Sequence, residues 1–114
     1  MKVLIAAGGT GGHIYPGIAV ANEIMARDAE SEVLFVGTAR GLEKKIVPDS
    51  GYQLSLINST GLKNVGLVGK IKGLSVLPKS FVEARRIIRQ FRPHVVVGAG
   101  GYVSGPVLLM AAIM

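Results

Sequence analysis

The 114-residue sequence has no cysteine, no long polar tract and no apolar run at its start that is long enough for a signal peptide. Without cysteine, the chain can form no disulfide scaffold, no zinc–thiolate site and no thiol nucleophile, and a cytoplasmic location fits. A hydrophobic content of 49% argues against disorder. The first apolar run, residues 3–7, is shorter than the ~7–15 residues that the core of a signal peptide needs.

Charged residues are absent from residues 95–114, a stretch long enough to span a bilayer. Six glycine, serine and proline residues interrupt it, so we predict a buried strand, a glycine loop and the start of a helix instead. The sequence ends at Met114 within this apolar stretch, without a cap or a turn. We therefore expect the 114 residues to be an incomplete domain.

Acidic residues are scarce in the middle of the chain. Between Gly61 and Arg92 there are eight basic residues and one acidic residue, Glu83, while the remainder is nearly balanced. The formal net charge of +6 therefore originates in one segment. We interpret this segment either as a surface for an anionic partner or as a solvated face over a core stripe.

Short apolar runs alternate with helix-period stretches along the chain. The runs predict four strands, over residues 2–7, 32–37, 53–57 and 94–99. Helices are predicted around Ile14 with Pro16 in the first turn, over residues 42–47, over residues 67–91 with a break at Pro78, and from Pro106 onward. Strands that are apolar throughout are covered on both faces, so we predict an α/β, Rossmann-like parallel sheet with helices on both faces.

More than half of the sixteen glycines lie in two clusters, residues 8–17 and 98–105, which follow the first and fourth predicted strands. In the common 3-2-1-4 strand order these two strands are neighbours, and ligands bind beyond their carboxyl ends. We therefore expect both clusters to border one crevice.

The first cluster, Gly8-Gly9-Thr10-Gly11-Gly12-His13, is typical of a loop that binds phosphate with backbone N–H groups at a helix N-terminus. It does not match the dinucleotide-binding motif, because Ile14 stands where a third glycine is needed and no acid directly follows the second strand. It does not match a P-loop either, because His13 replaces the lysine.

His13 stands where this loop meets the helix. The positive end of the helix dipole disfavours a second positive charge, so we expect a neutral imidazole that can accept a proton from a hydroxyl group. The alternative is a histidine that only satisfies the backbone. His94, at the entry of the fourth strand, is interpreted as structural.

The second cluster contains Gly100-Gly101-Tyr102-Val103-Ser104-Gly105-Pro106 and precedes a predicted helix. Three glycines, a serine and a tyrosine exceed the need of a tight turn, so we interpret it as a second phosphate-binding loop.

Two motifs, GGTGGHIYPG at residues 8–17 and GGYVSGP at residues 100–106, together resemble the paired glycine loops of the MurG family. These enzymes are the N-acetylglucosaminyltransferases that make lipid II from lipid I in peptidoglycan synthesis. Residues 36–52 and 59–63 also resemble the family, so that the similarity covers essentially the whole chain. The resemblance implies a GT-B fold, with the chain as an incomplete N-terminal acceptor-side domain and the C-terminal donor-binding domain absent.

The resemblance implies inverting transfer of N-acetylglucosamine from UDP-N-acetylglucosamine to the 4-hydroxyl of the muramyl sugar of undecaprenyl-diphosphate-linked lipid I. It implies no metal or other cofactor, and Asp28 and Asp49 form no Asp-x-Asp motif. It also implies a peripheral location at the cytoplasmic face of the bacterial inner membrane. We expect the 114 residues alone to be inactive, because positioning donor against acceptor supplies a large share of such catalysis.

The resemblance assigns a role to each candidate site residue. The catalytic base is His13. The donor and its diphosphate contact Thr10, Gly11 and Gly12. The acceptor diphosphate contacts Gly9, Gly101, Tyr102, Val103, Ser104 and Gly105. Together with the amphipathic pattern of the basic segment, a lipid-linked substrate favours contact of an anionic membrane with Lys70, Lys72, Leu74, Leu77, Lys79 and Phe81.

Two other functions remain open. The chain could belong to another GT-B transferase for lipid or small-molecule acceptors, although GGYVSGP argues against this. It could instead be a non-catalytic anion-binding module with nucleic acid on the basic segment. Few aromatic residues are present there for base stacking, so we expect no nucleic-acid partner.

Overall fold

The computed structural model describes residues 1–8, 11–38, 41–57, 80–100 and 104–114. Within them, four strands form one parallel sheet in the order β3-β2-β1-β4. The strands are β1 (Lys2–Ala7), β2 (Glu32–Gly37), β3 (Gln53–Leu56) and β4 (Val95–Gly100). The parallel sheet and the 3-2-1-4 order predicted from the sequence are confirmed.

Four helical segments accompany the strands: α1 (Gly11–Arg27), α2 (Glu43–Asp49), α3 over residues 80–91, and α4 (Ser104–Ile113). Of the helix predicted over residues 67–91, only residues 80–91, which form α3, are described. The predicted break at Pro78 lies outside the described residues.

Three predicted helix boundaries are wrong. The first helix begins at Gly11, which puts Pro16 in its second turn. Because proline has no N–H, the carbonyl of Gly12 receives no helical hydrogen bond from residue 16. The second continues through Pro48 to Asp49, and Gly51, with a φ of +88°, makes the turn that follows. The fourth begins at Ser104, two residues before Pro106, because the helix starts directly at the glycine loop.

The core consists of two layers because β1 is buried on both faces. Alternate residues of β1 point to opposite sides of the sheet. One layer lies beneath α1 and α2 and contains Val3, Ile5, Ala7, Ile14, Ile18, Ala21, Phe35 and Val47. The other lies beneath α3 and α4 and contains Leu4, Ala6, Val36, Ile57, Ala84, Ile88 and Val107. This arrangement explains why the strand is a continuous apolar run, and it confirms helices on both faces.

At the amino edge of the sheet, His94 joins the starts of β1 and β4. The backbone N–H of Lys2 donates to Nδ1 of His94 at 2.9 Å, and the N–H of His94 donates to the Lys2 carbonyl at 2.8 Å. His94 therefore lies at the edge opposite the glycine clusters and serves the strand pairing, as the sequence indicated.

A glycine lets α1 approach the sheet closely. A Cβ atom at Gly17 would lie 3.2 Å from the Phe35 ring and 3.3 Å from the Ile5 side chain. Such distances are tighter than ordinary van der Waals contact, so the helix could not keep this position with a larger residue. Gly17 lies about one turn beyond His13 and thereby fixes the height of that histidine above the sheet.

We predict that Gly17→Val lowers the free energy of unfolding by about 1–3 kcal/mol, because the branched side chain overpacks the contact with Phe35 and Ile5. Chemical denaturation followed by circular dichroism measures the change. Ala19→Val is the matched control, since Ala19 is exposed on the same helix and its replacement costs less than about 1 kcal/mol in helix propensity. An equal loss in both variants would contradict the close-packing argument.

Candidate functional site

The two glycine clusters lie together at the carboxyl edge of the sheet, because β1 and β4 are hydrogen-bonded neighbours. The last residue of β1, Ala7, pairs with the last residue of β4, Gly100. Gly8, Gly11, Gly12 and the residues from Ser104 onward are described on this edge, as are α1 and α4, which both begin here. The predicted site residues Gly9, Thr10, Gly101, Tyr102 and Val103 lie outside the described residues.

The end of β4 departs from regular pairing. Ala6 pairs with Gly98 whereas Ala7 pairs with Gly100, so that one step along β1 matches two along β4. Gly100 has a φ of +112°, a backbone conformation that residues with a side chain rarely adopt. Irregularities of this kind bend a strand and redirect it near sites. Here the irregularity ends at Gly100, which lies against His13 of α1.

His13 is the residue at which the two clusters touch. Its half-buried ring lies against Gly100, where a Cβ atom would be only 2.7 Å from Cδ2 and 3.2 Å from Nε2 of the imidazole. Any side chain at residue 100 would occupy the space of the ring. The structure therefore places the predicted base against Gly100, the last residue of β4.

The main-chain carbonyl of Gly8 orients this imidazole. Nδ1 of His13 lies 3.2 Å from the Gly8 oxygen. A carbonyl oxygen can only accept a hydrogen bond, so Nδ1 carries the hydrogen in this arrangement. In the neutral ring, Nε2 then keeps its lone pair and can accept a proton from a hydroxyl group.

The hydroxyl of Ser104 joins the ends of β1 and β4. This buried Oγ lies 3.0 Å from the Ala6 carbonyl and 2.8 Å from the Gly100 carbonyl, and it accepts from the Gly100 N–H at 3.2 Å. One hydroxyl hydrogen is shared between two acceptors, so the side chain serves the backbone of the loop. Diphosphate binding by Ser104 stays a prediction. The donors available to a diphosphate at this helix start are the backbone N–H groups in the first turn of α4.

The glycines in the first turns of α1 and α4 keep both helix starts open. Gly12 and Gly105 are exposed, Gly11 is half-buried, and a Cβ atom at Gly105 would meet nothing within 4 Å. Backbone N–H groups at such helix starts have no partner within the helix and carry partial positive charge. Two of them at one edge form an arrangement suited to an anion with two charged groups, such as a diphosphate.

Sequence reasoning missed a buried acid at this edge. No acid directly follows β2, but Glu43 from α2 returns to the end of that strand, where its Oε1 accepts from the N–H of Thr38 at 2.6 Å and from its hydroxyl at 2.8 Å. Glu43 is fully buried, so it cannot reach a ribose hydroxyl as the acid of a dinucleotide site does. The available signal was a threonine at a strand end followed five residues later by a glutamate at a helix start.

The predicted membrane residues fall mostly outside the described part of the chain. Lys70, Lys72, Leu74, Leu77 and Lys79 are not described, and Phe81 is half-buried. On α3, Val82 is 60% exposed and stands among three exposed arginines, Arg85, Arg86 and Arg89. Within the described ranges, no helix has the length and apolar character needed to cross a membrane. Nor do the described side chains include a cluster of three or more histidine or acidic groups placed to hold a metal ion.

Comparison with known proteins points to one family. Residues 3–114 match the model described as "Glycosyltransferase family 28 N-terminal domain". The sequence is 53% identical over 111 residues to the UDP-N-acetylglucosamine--N-acetylmuramyl-(pentapeptide) pyrophosphoryl-undecaprenol N-acetylglucosamine transferase of Anaeromyxobacter dehalogenans (strain 2CP-C), covering 97% of this chain and 29% of that protein. Identity to the protein of the same name from Myxococcus xanthus (strain DK1622) is 53% over 114 residues, covering 100% of this chain and 30% of that protein.

A solved structure agrees with these relatives. The crystal structure of Acinetobacter baumannii MurG superposes with a TM-score of 0.82 at 30% sequence identity, covering 98% of this chain and 32% of that one. The chain therefore spans about 30% of the length of the curated relatives it matches.

We predict that Gly100→Ala displaces the His13 ring and lowers the free energy of unfolding by about 1–3 kcal/mol, the range for a residue held in an unfavourable backbone conformation. Chemical denaturation measures the stability, and the imidazole resonances of His13 report the displacement. Gly105→Ala is the stability control, because its Cβ atom enters open space within a helix and no loss of stability is expected. Unchanged His13 resonances in Gly100→Ala would contradict the proposed contact.

Proposed function

Because the chain belongs to glycosyltransferase family 28, we propose that it is part of the N-terminal, acceptor-side domain of an enzyme that makes lipid II from lipid I. The enzyme would transfer N-acetylglucosamine from UDP-N-acetylglucosamine to the undecaprenyl-diphosphate-linked muramyl acceptor. The names and 53% identities of its relatives support this specificity. Since the chain spans about 30% of their length, the donor-binding domain is proposed to lie outside these 114 residues.

The placement of His13 is the observation that supports the chemistry best. The imidazole lies between the Gly8 carbonyl, which orients it, and Gly100, which leaves room for it. A base at the meeting point of two anion-binding loops suits an acceptor whose diphosphate lies next to its reacting hydroxyl. The proposal therefore assigns both loops to one substrate and His13 to the proton that this substrate loses.

In the proposed reaction, Nε2 of His13 takes the proton of the muramyl 4-hydroxyl as its oxygen attacks the anomeric carbon of the donor sugar. The new bond forms on the face opposite UDP, and the bond to UDP breaks with its electron pair on the departing diphosphate. The configuration at the anomeric carbon is thereby inverted. Protonated His13 then releases its proton to solvent.

The two loops are proposed to share the diphosphates. Thr10, Gly11 and Gly12 would contact the donor across the cleft, and the acceptor diphosphate would contact Gly9 with the backbone of residues 101–105. The support is that α1 and α4 both begin at this edge, after neighbouring strands, so their first-turn N–H groups are available to anionic oxygens. No base pairing or sequence readout is involved, and nucleic acid is not a proposed partner.

We further propose that the basic segment rests on the anionic inner membrane, where the lipid-linked acceptor is held. The support from the described residues is that α3 carries three exposed arginines around an exposed Val82. Basic residues near an anionic leaflet contribute about 1 kcal/mol each.

His13→Ala in the full-length enzyme is expected to lower kcat by about 10²–10⁴-fold, because the proton of the attacking hydroxyl loses its acceptor. The affinity for UDP-N-acetylglucosamine should change little, since most donor contacts are proposed to lie in the other domain. Steady-state kinetics with a lipid I analogue and calorimetric donor binding measure the two effects. His13→Gln keeps an N–H donor for the Gly8 carbonyl but has no base, so it should be equally slow. Near-normal turnover in either variant would reduce His13 to a structural role.

Replacing Lys70, Lys72 and Lys79 together by glutamine should weaken binding to anionic vesicles by up to about 3 kcal/mol. Co-sedimentation of the full-length enzyme with anionic and neutral vesicles measures the binding, which should also fall as salt rises. The control replaces Lys44 and Lys45, two exposed lysines of α2 on the other face of the sheet, and should bind as the unmodified enzyme does. Equal binding of the triple variant and the unmodified enzyme would refute the membrane surface.

A further inference from the structure

Glu43 is a buried acidic side chain that the proposed reaction does not use. It is 0% exposed, and among the residues that the structure describes it is the one ionisable side chain in the buried core. Burial of a carboxylate costs free energy unless hydrogen bonds compensate for the lost water. A natural chain keeps such a group only where its hydrogen bonds are needed, so the partners of Glu43 show what it does.

Two hydrogen bonds of Glu43 reach a residue outside its own helix. As the first residue of α2, Glu43 could act on its own helix alone, but its Oε1 accepts both the N–H and the hydroxyl of Thr38, which directly follows β2. The carboxylate therefore ties the start of α2 to the carboxyl end of β2. Two hydrogen bonds to the same oxygen hold the Glu43 side chain at this position.

The Glu43 side chain and the end of β1 both border Gly37. A Cβ atom at Gly37 would collide with Cγ of Glu43, and it would lie 3.2 Å from the carbonyl oxygen of Ala7, the last residue of β1. The space beside Gly37 is thus bordered both by the Glu43 side chain and by the Ala7 carbonyl. The next residue after Ala7 is Gly8, whose carbonyl orients the imidazole of His13.

We propose that Glu43 is a positioning residue that acts through Thr38 and Gly37 to hold the end of β1, and with it the Gly8 carbonyl, in the place that orients His13. This inference rests on the proposed function, because it assigns Glu43 to the orientation of the proposed base. Glu43 is fully buried and therefore touches no substrate. Gly37 is required because a side chain at this position would collide with Glu43 and push it away from the end of β1.

The test uses the full-length enzyme with two small changes at Thr38, which together with Glu43 forms the clamp between β2 and α2. Thr38→Val removes the hydroxyl donor but keeps the shape and the backbone N–H, whereas Thr38→Ser keeps both donors. We expect kcat with a lipid I analogue to fall about 10- to 100-fold in Thr38→Val, because small misplacements of reacting groups have effects of this size. Thr38→Ser should recover most of the loss, and the KM for UDP-N-acetylglucosamine should stay unchanged in both.

Glu43→Gln is the complementary variant, and Asp49→Asn is its matched control. Asp49 is an exposed acid of the same helix, so its replacement removes the same charge without touching the clamp. Glu43→Gln should lower kcat while Asp49→Asn leaves it unchanged. Circular dichroism gives the folded fraction, and kcat is expressed per folded molecule, so that a loss of stability alone does not count as a positioning effect.

The imidazole resonances of His13 provide a readout that does not depend on turnover. They should shift in Thr38→Val and in Glu43→Gln, and stay in place in Thr38→Ser and in Asp49→Asn. Unmodified enzyme without transferase activity would overturn the proposed function, and the resonances would then still decide whether the clamp orients His13. Unchanged resonances together with an unchanged kcat per folded molecule in Thr38→Val would overturn the positioning role, whether or not Glu43→Gln folds.

Discussion

The parallel pairing of β1 with β4 is the constraint on which the site depends, because it brings together two glycine clusters from opposite ends of the chain. The ends of these strands are joined by backbone pairing and by one buried hydroxyl, that of Ser104, which contacts the carbonyls of Ala6 and Gly100. The irregular pairing ends at Gly100, which lies against the His13 ring at the start of α1. Without that neighbouring position, each cluster would be an ordinary turn between a strand and a helix.

Most of the site is built from backbone, and side chains serve to hold that backbone. Gly8 contributes a carbonyl, the starts of α1 and α4 contribute N–H groups, and Gly100 contributes space for the imidazole. The polar side chains beneath, Ser104 and Glu43, are buried and turned toward main-chain atoms. Among the described residues, no buried side-chain nitrogen or oxygen lacks a hydrogen-bond partner. An arrangement with its polar groups satisfied in this way is rigid, and rigid donors suit an anion whose charge must be held in one position.

The fold and the motifs carry different kinds of information about function. A doubly wound parallel sheet serves many unrelated activities, so the sheet by itself shows only where a ligand binds. The family follows from the match over residues 3–114, and the proposed acceptor follows from relatives that share half of the residues. What the geometry adds is a division of roles: His13 faces the meeting point of the loops, whereas His94 serves strand pairing at the opposite edge.

The sequence by itself determined the strands, their parallel order, the two loops and His13 as the candidate base, because apolar runs, glycine clusters and the chemistry of imidazole are local properties. It placed Pro16 in the wrong turn and ended α2 too early, since helix boundaries depend on contacts with the rest of the fold. Only the tertiary structure decided that the Gly8 carbonyl orients His13, that the Ser104 hydroxyl faces the backbone, and that Glu43 returns to Thr38. His13 and Glu43 bond to residues only five positions away, whereas Ser104 bonds to a strand 98 positions away. In each case the residue types were visible in the sequence, but whether the side chain turns to that partner depends on how closely helix and strand approach, which residue types alone do not specify.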